Sequence, residues 1–197
     1  VGPDPVTGQA RVITPDNHLL TPAGKQISLP GMRPQALALS PNGRVLVAAG
    51  KTPGLTLINP ATGEIMGRVD LPGNTEETPD PVSANILKPD RSGQLSFTGL
   101  IFSADGQRLF LSNVNGSIKE FAVSDDGGVK PVRNLPLPPA NAPGRKNEIP
   151  SGLALSADGN KLYIALNLSN RVAEMELSSG AVVRTWDCGV APYDVRL

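Results

Sequence analysis

The sequence predicts an all-β protein, a β-propeller built from four-stranded antiparallel blades. A short pattern occurs three times, as "SPNGRVLVAAG" from residue 40, "SADGQRLFLSN" from 103 and "SADGNKLYIALN" from 156. In each copy a second glycine follows the turn glycine after 20 or 21 residues. The 197 residues also include 21 glycines and 20 prolines, which indicates many tight turns and few helices.

Each copy of the repeat is predicted to contain four strands. A continuous apolar run forms the first strand, and we expect it to be buried on both faces. An Asn-Gly or Asp-Gly turn then favours a hairpin, because glycine accepts a positive φ. The third strand alternates polar and apolar residues in the second and third copies, and a further glycine turn leads to the fourth. The predicted strands are 35–39, 45–49, 55–59 and 64–71; 99–102, 108–112, 117–123 and 128–137; and 152–155, 161–165, 171–177 and 180–187.

The repeat divides the chain, predicted to be a single propeller domain over 1–197, into blades. A period near 42 residues with four strands per unit is typical of a propeller. We expect full blades at 32–72, 97–137 and 150–190, a partial blade at about 10–31, and the start of another at 191–197. Because three full blades and two partial ones do not close easily, we predict part of a seven-bladed propeller. A four-bladed ring that pairs the N-terminal half blade with 191–197 is the alternative.

Two insertions interrupt the period. Residues 73–96 separate the first two blades, and residues 138–149 separate the second from the third. Both are rich in proline and polar residues, and neither shows apolar periodicity. We expect them to project from one rim of the propeller, where function tends to reside, and we expect the charged stretches 75–80 and 144–148 to be solvated.

The turns of the repeat carry carboxylate or amide side chains that we assign to structure. Such side chains hydrogen-bond the backbone two residues further on and stabilise the turn. Because they recur with the repeat, a catalytic role is disfavoured. The predicted structural turn residues are Asn42, Gly43, Asp105, Gly106, Asp158 and Gly159.

A second group of polar residues joins the second and third strands. The segments "SNVNGS" and "NLSNR" contain asparagines that can adopt left-handed backbone geometry, which is the structural interpretation. The functional interpretation is that they face a rim or central channel and bind a cation or a sugar. The candidate binding residues are Asn113, Asn115, Asn167, Asn170 and Arg171.

Composition disfavours several other classes of function. Eighteen basic and 18 acidic residues give a formal net charge of zero, which argues against nucleic acid or an anionic membrane surface as a partner. No apolar run approaches the length of a membrane span, and the first residues lack the features of a signal peptide. With one histidine, His18, and one cysteine, Cys188, we predict no catalytic residue, cofactor, metal ligand or intrachain disulfide.

Trp186 and Cys188 are expected to share one face of their strand and to pack, with Asp187 on the opposite face.

The third copy, "LALSADGNKLYIALNLSNRVAEMELSSGAVVRTWDCG", resembles the YVTN-type (YncE-like) β-propeller repeat. Tyr163, Asn167 and Asn170 stand where that family places its tyrosine and turn asparagines, whereas the first two copies depart from the pattern at 48–50 and 112–113. The resemblance covers most of residues 33–197 and is specific for the class of repeat.

The two insertions also resemble a bacterial subgroup in which the propeller precedes a phosphoesterase domain of the alkaline phosphatase superfamily. None of that second domain is present in residues 1–197. The resemblance implies an exported protein, periplasmic or extracellular, whose propeller presents rim loops to a protein partner or an attached domain. A non-catalytic binding scaffold is therefore our first hypothesis. The alternative is the propeller part of a hydrolase, phosphoesterase-linked or lactonase-like; a quinone-dependent propeller is disfavoured by the single tryptophan.

Overall fold

The computed structural model describes residues 2–3, 10–13, 15–16, 18–20, 24–50, 54–72 and 99–197. Within these ranges the protein forms fifteen β-strands and no helix. A small sheet near the N-terminus contains β1 (Gly2–Pro3), β2 (Ala10–Ile13) and β3 (Leu19–Leu20). The insertion at 73–96 lies outside the described residues, and so does part of the predicted half blade at 10–31.

The remaining twelve strands form three blades, each an antiparallel sheet whose strands follow chain order. Blade one contains β4 (Pro34–Leu39), β5 (Leu46–Gly50), β6 (Gly54–Ile58) and β7 (Ile65–Asp70). Blade two contains β8 (Leu100–Phe102), β9 (Arg108–Asn113), β10 (Ser117–Val123) and β11 (Val129–Pro136). Blade three contains β12 (Pro150–Leu155), β13 (Lys161–Leu166), β14 (Arg171–Glu176) and β15 (Ala181–Asp187). All twelve predicted strands are confirmed, each within two residues of its predicted bounds.

The blades pack face to face, and blade two lies between the other two. Alternation along its strands sends Leu109 and Phe121 into a core shared with blade one. Phe110 and Ile118 point the opposite way, into a second core shared with blade three. Burial of these two apolar layers is the main favourable contribution that holds the blades together.

The expectation that each first strand is buried on both faces is wrong for blade one. Ala36 of β4 is buried in the core against blade two, but its neighbours Leu37 and Leu39 are 61% and 53% exposed. In blade three, by contrast, the first four residues of β12 are buried. The physical reason is that no described strand lies over the inner part of the face of blade one that points away from blade two.

In each blade, the pairing between the third and fourth strands contains one β-bulge. The pairing shifts between Leu57 and Ile58, between Glu120 and Phe121, and between Glu174 and Met175. A bulge leaves one residue of the outermost strand without an opposite partner and strengthens the local twist. The extra residues are Met66, Val132 and Val183, and all three side chains are exposed.

The antiparallel strand order separates two kinds of turn onto two rims. One rim carries the turns between first and second strands and between third and fourth strands. The other, which we name the connection rim, carries the turns between second and third strands and the connections between blades. Its described segments are 113–117, 138–149, 167–171 and 188–192.

Candidate functional site

The connection rim gathers all five predicted binding residues, but two of them are buried. Asn113 is 1% exposed and Asn115 is 6% exposed, so neither amide is displayed on the surface. The Asn113 side-chain oxygen accepts a hydrogen bond from the Asn115 backbone at 2.8 Å. Gly116 completes this turn with a φ of 77°. These contacts favour the structural interpretation for this pair.

Asn167, Asn170 and Arg171 tie the corresponding turn of blade three to the chain that follows β15. Asn170 has a φ of 56°, and its side-chain oxygen accepts a hydrogen bond from the Ala191 backbone at 2.9 Å. Asn167 donates through Nδ2 to the carbonyl oxygen of Pro192 at 3.3 Å. The Arg171 guanidinium pairs with Asp187 at 2.7 Å, in an exposed contact. These contacts therefore connect the turn both to the chain at 191–192 and to β15.

Glu148 is the residue of this rim that sequence reasoning missed. The stretch 144–148 was expected to be solvated, but that expectation is wrong for Glu148, whose side chain is fully buried. Its Oε1 accepts hydrogen bonds from the backbone N–H groups of Ile149 at 2.9 Å and Leu168 at 2.8 Å, and its Oε2 accepts one from the Ser169 hydroxyl. A buried carboxylate needs such donors to offset its lost hydration.

Further contacts fix the insertion 138–149 against the rim. The Asn141 backbone N–H donates to Ser169 Oγ at 2.8 Å, and the Asn167 backbone N–H donates to the Ile149 carbonyl at 3.1 Å. The Ala140 backbone N–H donates to the Lys146 carbonyl at 3.1 Å, which closes the loop on itself. The loop is therefore held in one shape although it contains no strand. Its exposed residues are Pro138, Pro139, Asn141, Pro143, Gly144 and Lys146.

The predicted turn residues lie on the opposite rim, where they hydrogen-bond their own turns. Asp105 accepts from the Ser103 hydroxyl at 2.5 Å, and Asp158 accepts from the Ser156 hydroxyl at the same distance. Asn42 contacts Ser40 in the same way at 2.7 Å. The turn glycines Gly43, Gly106 and Gly159 all have a φ near 70°.

These turn contacts stabilise the charged carboxylates. The Ser156 hydroxyl, followed by the Asn160 backbone N–H and amide, lowers the pKa of Asp158 to about 2. The Ser103 hydroxyl and the Gln107 backbone N–H likewise lower the pKa of Asp105. Because every contact is made within the turn, this arrangement supports a structural role for both residues.

The other residues singled out in the sequence are dispersed. His18 Nδ1 lies 2.8 Å from an Asp16 carboxylate oxygen, and both side chains are exposed. Trp186 packs near Tyr163, with ring centroids 6.2 Å apart, while the Cys188 thiol is exposed. Over the described ranges no three His, Cys, Asp or Glu residues could hold a metal ion together, and no helix could cross a bilayer.

No protein-family model and no curated protein matches the chain. Solved structures do match it. Hydrazine synthase from Kuenenia stuttgartiensis aligns at 16% identity with a TM-score of 0.60, over 88% of this chain and 41% of that one. The Cps50 (Swd1) β-propeller domain of Myceliophteria thermophila aligns at 15% identity with a TM-score of 0.54, over 79% and 43%. The WD40 repeats of RRP9 align at 15% identity with a TM-score of 0.56, over 83% and 41%.

Identities this low show the fold alone. The chain is a β-propeller of four-stranded antiparallel blades, related in architecture to WD40-type propellers. It spans about two fifths of the length of each of these three chains.

Proposed function

We propose that this chain is a non-catalytic propeller scaffold that presents its connection rim to a protein partner. The observation that carries the proposal is the buried Glu148 carboxylate, which fixes the insertion 138–149 against the turn that contains Leu168 and Ser169. A loop held in one conformation loses little entropy on binding, so its contacts contribute more fully to affinity.

The surface chemistry of the fixed loop suits a protein partner. Its exposed side chains combine rigid prolines with a hydrogen-bonding amide and a lysine, Lys146. A non-obligate protein interface is, taken as a whole, about as apolar as the rest of a protein surface, so this mixture of apolar and polar groups is compatible with one. The resemblance to YVTN-type propellers of exported bacterial proteins supports a periplasmic or extracellular setting, with an attached domain or a separate protein as the partner.

The proposal is tested by site-specific photo-crosslinking in extracts of the source organism. A photoreactive residue replaces Pro143 on the connection rim or, as the matched control, Asp125 in an exposed turn of the opposite rim. We expect one specific protein adduct from position 143 and none from position 125. Glu148→Ala, which releases the loop, should abolish the adduct. Adducts of equal strength from both positions, or none from position 143, would refute the proposal.

A further inference from the structure

Residues 136–141, with the sequence Pro-Leu-Pro-Pro-Ala-Asn, lead from the end of β11 into the loop on the connection rim. The ring of each proline holds φ at about −65°. A residue that precedes a proline is in turn pushed into the extended region, and Leu137 and Pro138 both precede one. The backbone is therefore confined to the dihedral angles of a polyproline II helix over the first four residues of the segment.

The backbone N–H groups of the segment fit the same conformation, because a polyproline II helix has no internal hydrogen bonds. The prolines have no N–H to donate. The Leu137 N–H donates to the Gly116 carbonyl at 2.8 Å, and the Ala140 N–H donates to the Lys146 carbonyl at 3.1 Å. The Asn141 N–H donates to a serine hydroxyl in the rim turn of blade three at 2.8 Å. Every N–H of the segment is thus bonded to a residue outside it.

Burial along the segment repeats every three residues, which is the number of residues per turn in a polyproline II helix. Leu137 and Ala140 are half-buried, and Leu137 packs against the core between blades two and three. The other residues of the segment are exposed: Pro136, Pro138, Pro139 and Asn141. One edge of the helix is therefore attached to the protein, and the other two edges are displayed on the connection rim.

We propose that the partner recognises segment 136–141 and binds it in a groove lined by aromatic side chains. This inference rests on the proposed function and names the class of partner. Aromatic-lined grooves bind P-x-x-P segments that adopt the polyproline II conformation. Pro136 and Pro139 have this spacing on one displayed edge, and Pro138 lies on the other. Because the prolines and the attached edge fix the conformation before binding, little entropy is lost in the complex.

A lysine at the end of the segment adds a second requirement for the partner. The hydrogen bond between the Ala140 N–H and the Lys146 carbonyl places Lys146 beside that end, and Lys146 is exposed. Glu148, the acidic residue that follows it in the loop, is fully buried and accepts its hydrogen bonds from the rim turn of blade three. We therefore expect the partner to carry a carboxylate beside its aromatic groove, since opposite charges fix the register of an interface.

Competition for the crosslinked partner tests this inference. The chain with a photoreactive residue at position 143 is irradiated in extracts of the source organism, with and without an excess of decaproline, which forms a polyproline II helix. A Gly-Ser peptide of equal length is the matched control, because such peptides are flexible. We expect decaproline to lower the yield of the adduct about tenfold or more, and the Gly-Ser peptide to leave it unchanged.

Variants of the crosslinking chain identify the side chains that the partner contacts. Pro138→Ala combined with Pro139→Ala removes a proline ring from each displayed edge and should lower the yield of the adduct about tenfold. Pro60→Ala, at an exposed proline in a turn of the opposite rim, is the matched control and should leave the yield unchanged. Lys146→Glu should also lower the yield, because it places like charges together. Circular dichroism checks that each variant is folded.

The outcomes separate this inference from the proposed function. An adduct that decaproline does not diminish, or that the double proline variant forms in full yield, overturns the inference, while the adduct itself still supports a partner on the connection rim. Equal competition by decaproline and the Gly-Ser peptide also overturns it, since the partner then does not select the polyproline II conformation. If position 143 gives no adduct at all, the proposed function is refuted and the inference falls with it.

Discussion

The hydroxyl of Ser112 in blade two donates a hydrogen bond of 2.6 Å to the carbonyl oxygen of Ser151 in blade three. Both residues are buried, and the contact joins β9, the second strand of blade two, to β12, the innermost strand of blade three. Gly99 lies between them: a methyl group on its Cα would collide with the Ser112 side chain and the Ser151 backbone. The blades therefore approach so closely at this point that a side chain cannot be accommodated.

This close approach predicts the effect of adding one methyl group. Gly99→Ala should lower the free energy of unfolding by about 1–3 kcal/mol, since overpacking forces the backbone to shift. Gly67→Ala is the matched control, because a methyl group on Gly67 would meet nothing within 4 Å. Urea denaturation of the two variants measures the difference. Equal stability of both variants would contradict the tight packing of the inner strands.

We expect the Asp158 carboxylate to stay ionised until the pH falls to about 2. Hydrogen bonds from Ser156 and Asn160 lower its pKa from 3.8 to about 2 in the folded protein. The stabilisation that follows is complete above pH 3.8 and is lost as the pH falls through about 2, because the unfolded chain binds the proton first. A carboxyl NMR titration measures the midpoint. Ser156→Ala removes the main donor and should move it back towards 3.8; an unchanged midpoint would disprove this cause.

Glu148 should contribute to stability as well as to loop position. Glu148→Ala leaves the buried N–H of Leu168 and the hydroxyl of Ser169 without their acceptor, which costs about 1–3 kcal/mol. Glu148→Gln keeps one side-chain oxygen and should cost less. Thermal unfolding ranks the variants, and hydrogen exchange at Leu168 shows whether the rim turn has opened. Identical behaviour of the two variants would argue that the carboxylate oxygens do not fix the rim.

The left-handed backbone conformation of Asn170 predicts which of two substitutions at this position is the more stable. With a φ of 56°, this position accepts glycine without strain, whereas a β-branched side chain costs about 1–2 kcal/mol. Asn170→Val should therefore be less stable than Asn170→Gly by roughly that amount. Both variants lose the hydrogen bond to Ala191, so their difference isolates the backbone term. Denaturation curves that coincide would show that the turn relaxes to another conformation.

The repeat was readable from the sequence because each strand and turn depends on short-range chemistry. Asp105 and Asp158 accept hydrogen bonds from residues two positions away, and the turn glycines need a positive φ whatever surrounds them. Apolar alternation likewise encodes which side of a strand is buried. Four-stranded units, their order and their turns follow from these local signals, and the propeller class follows from the units.

Burial of particular polar residues could not be read in the same way. Glu148 looked like part of a solvated loop, because its donors Leu168 and Ser169 lie about twenty residues away and meet it only once blade three has formed. Asn113 looked like a surface amide, but it is only 1% exposed in the folded protein. Leu39 belongs to an apolar strand, yet it is exposed because no described strand covers that part of its face. The sequence by itself thus determined the repeating unit, whose signals are local, and only the tertiary structure decided which residues the rim displays, since that depends on contacts between distant segments.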